Sequence, residues 1–443
     1  MTARSTRHPA LARSGVVRVG LLGCGVVGGA TARILLEQAD TLEQRAGARV
    51  QLARVAVRGL DKARAVELPD ELWTADPWSV VRDPSIDVVV EVMGGIDPAR
   101  ALIVEATRCG KHVVTANKEL LSCAGEAIMS AGEEAGVEIL FEASVAGGVP
   151  IVRSMKESLA GDRVTRVMGI VNGTTNFILT RMSDTGETFA EALAEAQRLG
   201  YTEADPSADI EGFDAAAKLA ILASLAFNAR VVASDVEREG ITRITPEDIR
   251  AAHDLGYEIK LLAVAEADEG QVSARVHPAM VPRTHPLAAV RDAFNAIFIE
   301  AREVGELMFL GPGAGGAPTA SAVIGDIVEI ARNLTQGARG PGCTCYGRRA
   351  DIRARAAALV RYYVVCSVLD QPGVLAAVAG AFAAEEVSIA SVRQEGFGEE
   401  ATLVLITHSA SQGQHDATLE ALQGLEAVRS VDSTIRVVGT PEG

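Results

Sequence analysis

Val16-Val17-Arg18-Val19-Gly20-Leu21-Leu22-Gly23-Cys24-Gly25-Val26-Val27-Gly28, followed at once by Gly29-Ala30-Thr31-Ala32-Arg33-Ile34-Leu35-Leu36-Glu37-Gln38, carries the reading of the fold. The first seven residues are a short apolar run of buried-strand type, and the segment after Gly28 has a helical pattern. Between them stands G-x-G-x-x-G, a motif that says little alone and much between a strand and a helix. Gly23 permits the tight turn, Gly25 lets the backbone approach a pyrophosphate, and Gly28 lets the helix lie close to the sheet. The N–H groups and positive dipole end of the helix then face the phosphates, with Val26 and Val27 beside them in the first turn. The competing reading is that these glycines only turn the chain.

The pattern repeats outward. A strand over 50–57 ends at Arg58, and one over 86–93 ends at Gly94-Gly95. A helix over 98–109, the strand-like H-V-V-T-A, a further helix and V-E-I-L-F-E complete a βαβ series, whose handedness demands a parallel sheet. The end of the second strand decides between nicotinamide cofactors. A carboxylate there would accept hydrogen bonds from a ribose 2′-hydroxyl, whereas Arg58, with Lys62 and Arg64 close behind, suits a 2′-phosphate. NADP is therefore expected, with NAD tolerated, unless Arg58 points into solvent. Gly94 is expected beside the cofactor as well.

Past Pro150 the alternation stops. Ala-rich helices are predicted at 188–199 and 211–228, strand-like pieces at 163–172, 271–281 and 296–310, and a helix after the Gly-rich 311–316. The Gly- and Arg-rich stretch around 335–360 reads as a linker. Beyond it, strand, helix, two strands, helix and strand (362–369, 373–385, 387–395, 401–407, 414–424 and 428–438) give βαββαβ, a ferredoxin-like module. The fold class is thus α/β: a Rossmann-type parallel sheet, a mixed α+β catalytic domain and a C-terminal ferredoxin-like domain. The expected division is 1–14 as a disordered arm and 15–150 as the nucleotide-binding domain, completed by about 311–335. The catalytic, substrate-binding and dimerisation domain is expected at 151–335, the linker at 336–360 and a regulatory domain at 361–443.

At 443 residues the chain is too long for one hydrophobic core. A net charge of -16 argues against a nucleic acid or an anionic membrane as partner. No apolar run approaches the roughly 20 residues that span a bilayer, and the basic N-terminus lacks a signal-peptide core. A cytoplasmic location is expected. Cys24, Cys109, Cys123, Cys343, Cys345 and Cys366 show no metal-ligand spacing and read as free thiols of a reducing compartment.

Two segments carry chemistry. Thr115-Ala116-Asn117-Lys118 stands at the C-terminal end of a strand, where a Rossmann sheet places its ligands. Gly200-Tyr201-Thr202-Glu203-Ala204-Asp205-Pro206 is followed by Asp209 and by Asp214-Ala215-Ala216-Ala217-Lys218, whose ends share one helix face. On spacing alone, an exposed helix ion pair worth a few tenths of a kcal/mol remains open. Taken in order, G-x-G-x-x-G, V-V-T-A-N-K, F-E-A-S-V-A-G-G-V-P-I, G-Y-T-E-A-D-P, D-x-x-x-K and G-P-G-A-G-G closely resemble homoserine dehydrogenase, over about residues 16 to 335.

The resemblance implies reversible reduction of L-aspartate 4-semialdehyde to L-homoserine, on the way to threonine and methionine. It implies Lys218 as the acid that protonates the aldehyde oxygen, and the base in reverse, with Lys118 near both nicotinamide and substrate. Glu203 would bind the substrate ammonium and Asp214 would position the substrate, with Asp209 a further candidate in the same acidic segment. Gly315, and Gly200 with it, would approach the cofactor. In the same family F-E-A-S-V-A-G-G-V holds a monovalent cation, Na⁺ or K⁺, here through the Glu142 side chain and the carbonyls of Val145, Gly147 and Val149. Oxygen-only coordination suits a hard cation. A turn with a capping carboxylate is the alternative. Charge chemistry agrees with the catalytic roles: hydride addition builds negative charge on oxygen, which nearby ammonium groups stabilise. Burial and a second ammonium would both lower a lysine's pKa toward working pH.

Asp370-Gln371-Pro372-Gly373-Val374-Leu375 resembles the opening of an ACT domain, a fold that binds amino acids at subunit interfaces. Threonine is the expected ligand, unless the domain serves dimerisation only. A homodimer or homotetramer is expected, in the single-function form, since no aspartokinase segment precedes the first strand. Two other classes compete. Another amino-acid-pathway dehydrogenase, such as aspartate-semialdehyde dehydrogenase, would need a nucleophilic cysteine, and none has a convincing setting. A non-catalytic NADP-binding amino-acid sensor would not need Lys118 or Lys218.

Overall fold

The computed structural model describes residues 15–202, 205–396 and 400–439. The arm expected at 1–14 and the candidate Glu203 lie outside them. The chain divides into two compact units, one of residues up to 167 with 217–235 and 295–350, the other of 168–216, 236–294 and 351 onward.

The first unit is built on six strands: β1 (Val16–Leu22), β2 (Arg49–Ala56), β3 (Trp73–Thr74), β4 (Val88–Glu91), β5 (His112–Thr115) and β6 (Ile139–Leu140). They are parallel and lie in the order β3-β2-β1-β4-β5-β6. Helices α1 (Val26–Glu37), α2 (Ala99–Arg108) and α3 (Lys118–Ala135) lie among these strands in sequence. β4 is buried throughout, as a parallel strand covered on both faces must be. Val17, Val19 and Leu21 of β1 share a core with Leu35 of α1 and with Val323, Ile327 and Ile330 of the helix Gly316–Gln336. The strand order reverses between β1 and β4, the point at which such a sheet opens a ligand crevice.

Three expectations change here. The strand read over 137–142 stops at Leu140, because a one-turn helix over Glu142–Ser144 takes over. The piece at 296–310 is two strands, Phe294–Ala301 and Gly305–Pro312. The Asp162 carboxylate accepts from the backbone of Glu303 and Val304 at 3.0 and 2.8 Å and fixes the turn between them. Cys343 and Cys345 are joined by a disulfide rather than free: their Cα atoms lie 5.4 Å apart, within reach of that bond. Cys24, Cys109, Cys123 and Cys366 are free thiols.

In the second unit, helix α4 (Gly173–Thr185) is followed by β7 (Tyr257–Asp268) and β8 (Gln271–Pro282), a long antiparallel hairpin. The C-terminal module comprises β9 (Tyr362–Leu369), α5 (Val374–Ala384), β10 (Ile389–Glu395), β11 (Glu400–Thr407), α6 (Gln412–Gln423) and β12 (Val428–Val437). Its strands run β12-β9-β11-β10, antiparallel. Val364, Cys366, Leu403 and Leu405 meet Val378, Phe382 and Leu422 in one core. The end of β8 pairs with β12 at Ala279–Arg436 and Met280–Val437, so the module continues the hairpin's sheet.

Candidate active site

The β1–α1 turn opens on a cleft of about 960 Å³ lined by Gly23, Gly25, Val26, Arg58, Lys62 and Gly94, among others. Gly23 has φ +98, and a Cβ on it would meet the Val92 carbonyl oxygen at 2.9 Å. A Cβ on Gly28 would collide with the Gly23 carbonyl. Nothing stands within 4 Å of a Cβ placed on Gly25, so glycine there leaves open space above the turn. The three glycines thus do three different things. Val27 packs against the core beneath.

Arg58 is exposed and lines this cleft with Lys62 and Arg64. Arg64 is committed elsewhere. It donates to the carbonyls of Gly59, Leu60 and Lys62 and stacks 4.8 Å over Trp73, pinning the loop. The 313–316 turn reaches the same place: a Cβ on Gly316 would lie 3.0 Å from the Val26 carbonyl oxygen, and Gly315 has φ +117. Gly200 has a local explanation. It takes φ +77 just past the helix Phe189–Arg198, where its N–H donates to the Gln197 carbonyl at 3.1 Å, as a helix-ending glycine does.

Lys118 opens α3 at the end of β5, and a buried network that the sequence reading missed holds its base. Glu91 Oε1 accepts from the N–H groups of Met93 and Gly94 at 2.8 and 3.2 Å. Its Oε2 accepts from Thr115 Oγ1 at 2.7 Å. Asn117 caps α3 by accepting from Leu120 N at 3.0 Å and donates to the Gly95 carbonyl at 2.6 Å. Glu91, Thr115 and Asn117 therefore tie the Gly94-Gly95 turn, with both φ at +73, to the residue preceding Lys118. A strand-terminal Glu facing a Thr-x-Asn was the available signal.

Asn172 assembles the acidic segment. Its Oδ1 accepts from Thr175 N at 2.9 Å and caps α4. Its Nδ2 donates to Asp209 Oδ1 at 2.6 Å and to Asp214 Oδ2 at 2.9 Å. Thr202 Oγ1 donates to Asp209 Oδ2 at 3.1 Å, and Thr174 Oγ1 to the Tyr201 carbonyl at 2.8 Å. Asp209 and Asp214 thus meet at the positive end of α4. Asp214 begins the helix Phe213–Phe227, and Lys218 follows it by one turn with 9% exposure. An exposed ion pair would leave Lys218 in water; it is buried.

Glu142 is 5% exposed and spends both oxygens on a local cap, accepting from the N–H groups of Val152 and Arg153 at 2.9 and 2.8 Å. Burial pushes its pKa up, against the pull of these donors. Its own N–H donates to Asp326, whose second oxygen accepts from Arg153 at 2.9 Å. Ala146 and Gly147 take φ of 52° and 51° beneath it, and the Val149 carbonyl accepts from Ile151.

In the C-terminal module a pocket of about 300 Å³ is lined by Asp370, Gln371, Gly373, Leu375 and Gln394, with Gly373 at φ +94 at the start of α5. Among the described residues no helix is long and apolar enough to cross a membrane.

Three family models match the chain: the homoserine dehydrogenase NAD-binding domain at residues 23–142, homoserine dehydrogenase at 150–328, and the ACT domain at 362–427. A homoserine dehydrogenase of Mycobacterium tuberculosis is 51% identical over 435 residues, covering 96% of this chain and 98% of the relative. That of Bacillus subtilis is 41% identical over 426 residues, covering 96% and 98%. The crystal structure of the Thiobacillus denitrificans homoserine dehydrogenase superposes with a TM-score of 0.90 at 42% identity, over 96% of this chain and 98% of that one. A hyperthermophilic archaeal homoserine dehydrogenase in complex with NADPH gives 0.63 at 29% identity, covering 74% and 99%. With relatives this similar along nearly the whole length of the chain, a G-x-G-x-x-G cleft, Lys118 at a capped helix start and a buried Lys218, the chain belongs to the homoserine dehydrogenase family.

Proposed function

We propose that the chain reduces L-aspartate 4-semialdehyde to L-homoserine reversibly with NADPH, in the cytoplasm, as a dimer or tetramer restrained by threonine at its tail. The observation that carries the reaction is the Asn172 clamp on Asp209 and Asp214, one helical turn before buried Lys218. An amino-acid substrate brings an ammonium group, which needs carboxylates held in place. Asp214 positions it, Glu203 adds a second carboxylate, and Asp209 stiffens the site through Asn172 and Thr202.

When bound, the reduced nicotinamide supplies a hydride to the aldehyde carbon. Lys218 gives a proton to the aldehyde oxygen as charge builds there, and takes it back in the reverse direction. Lys118, fixed by the Asn117 cap, stabilises the same oxygen electrostatically. Gly23, Gly25, Val26, Val27 and Gly28 would hold the pyrophosphate, with Gly94 and Gly315 as further cofactor-site residues, and Arg58 with Lys62 would meet a 2′-phosphate. Gly200 contributes by ending its helix beside Tyr201.

The proposal extends to a monovalent cation at Glu142, Val145, Gly147 and Val149, supported by a buried carboxyl group beside a left-handed turn, which gives a hard cation oxygen ligands away from water. Exchanging K⁺ and Na⁺ for tetramethylammonium should lower activity if the cation is held; unchanged activity leaves Glu142 a cap. The test of the whole reading is NADPH oxidation on adding aspartate semialdehyde, with Lys218→Ala as control.

A further inference from the structure

The stretch that joins the catalytic part to the tail holds a feature with no role in hydride transfer. Cys343 and Cys345 are bonded to each other across a single residue. A ring this small makes a poor staple, because a cross-link stabilises mainly by restricting the unfolded chain and the benefit grows with loop length. The two sulfurs differ in access. Cys343 is half-buried between exposed Gly342 and Thr344, whereas Cys345 is 3% exposed.

The segment is anchored at several points. Gly340 N donates to Glu138 Oε1 at 2.6 Å and Thr344 Oγ1 to Asn228 Oδ1 at 2.7 Å. Tyr346, adjacent to Cys345, is 3% exposed and sits edge-on to Phe141, with ring centroids 6.5 Å apart. Its ring fills a notch at Gly125, where any Cβ would collide with it. Gly125 follows Ala124, whose φ of -132° interrupts α3, the helix that opens at Lys118. Cavities of about 150 and about 270 Å³ flank residues 341–345. That space gives the backbone a second path, which a close-packed site would deny.

We propose that Cys343 and Cys345 form a reversible thiol–disulfide site, open to small thiols through Cys343, whose state Tyr346 transmits to the break in α3. An incoming thiolate attacks Cys343 Sγ, and the sulfur–sulfur electron pair leaves with Cys345, which takes a proton from water. A second thiol then attacks the outer sulfur of the mixed disulfide and releases Cys343 as a thiol. Two external thiols become one disulfide while the protein pair gains two electrons and two protons.

The test uses the full-length enzyme, purified without reductant and equilibrated with reduced and oxidised glutathione in varying ratio. Differential alkylation with peptide mapping should show Cys343 and Cys345 gaining label together as the couple becomes reducing, with exposed Cys109 and Cys123 reporting glutathionylation of single thiols for comparison. In the reduced form, amide exchange should quicken across 340–346 and 120–128 by about fivefold or more, the low end of ordinary coupling between sites. Cys345→Ser should take one glutathione at Cys343, and Cys343→Ser should leave buried Cys345 unmodified. Full labelling of both cysteines without reductant would overturn the proposal. So would exchange in α3 that ignores the state of the pair, or a Cys345→Ser enzyme that takes no glutathione.

Discussion

Lys218 and Arg58 show how much a single side chain decides. Lys218 is buried on a helix whose neighbours Leu219, Ala220, Ile221 and Leu222 are fully buried, so a charge there is held away from bulk water. Lys218→Ala should lower kcat by about 10²–10⁴, the usual worth of a positioned acid or base, which is roughly 3–5 kcal/mol of barrier. Lys218→Arg keeps the charge but cannot surrender a proton near neutral pH, so it should stay as slow as the alanine variant. Wild-type kcat in either variant would remove Lys218 from the mechanism. Arg58→Asp replaces a phosphate partner with a ribose-hydroxyl acceptor. It should shift the NADPH-to-NADH ratio of kcat/KM toward NADH by about 10–100-fold, the loss of one charge-assisted bond. A ratio that does not move would show Arg58 pointing into solvent. The positions of both were legible in the sequence, Arg58 just past the second strand and Lys218 one turn after Asp214 on a helix, because their motifs fix them locally. Glu91 and Asn172 were not, since each matters through partners distant in sequence: Thr115 for one, Asp209 and Asp214 for the other.

α4 and β7 are among the elements that the sequence reading passed over, whereas β8 was read as a strand over 271–281. β7 reads Y-E-I-K-L-L-A-V-A-E-A-D, full of helix formers, and it is a strand because twelve residues of β8 pair with it in register. α4 begins with Asn172-Gly173-Thr174-Thr175, whose Asn is an ordinary N-cap signal, but its Thr-rich first turn hides the helix. Asn172→Ala removes the cap and the clamp together and should raise KM for the semialdehyde more than it lowers kcat, since the hydride and proton donors stay in place. An unchanged KM would separate the clamp from substrate binding. One turn further, Asn176 is held by Lys260, which is 4% exposed and donates to Asn176 Oδ1 at 3.3 Å and to the Val290 carbonyl. Burial lowers the Lys260 pKa from 10.5 to about 8. The folded state therefore binds fewer protons than the unfolded state between about pH 8 and 10.5, and stability gained from this group rises with pH across that window. Denaturation of wild type and Lys260→Met at pH 7 and pH 10 should show the difference moving in favour of wild type by at most about 3 kcal/mol. A pH-independent difference would contradict the assignment.

For the molecule as a whole, the sequence was most informative where strands and helices alternate cleanly, in the nucleotide-binding sheet and in the βαββαβ tail. It was least informative between them, where long-range pairing such as that of β7 with β8 decides the path. The pairing of β8 with β12 matters for testing the tail, because deleting the module would strip hydrogen bonds from the hairpin itself. Point changes in the tail pocket are cleaner. Asp370→Ala, which also frees Gln394 from its 3.2 Å hydrogen bond, should raise the threonine concentration for half-inhibition by about tenfold. A wild-type rate that ignores millimolar threonine would leave the module to dimerisation or another ligand. That buried Lys218, one helical turn after Asp214, moves the proton in semialdehyde reduction can be measured in a single comparison. It is the rate of NADPH oxidation by the full-length enzyme with aspartate semialdehyde, set side by side for wild type and Lys218→Ala across pH. Wild type should turn over with a pH-dependent kcat, and the variant should show a kcat at least about 10² lower with that dependence gone. Equal rates with the same pH profile would contradict that role of Lys218.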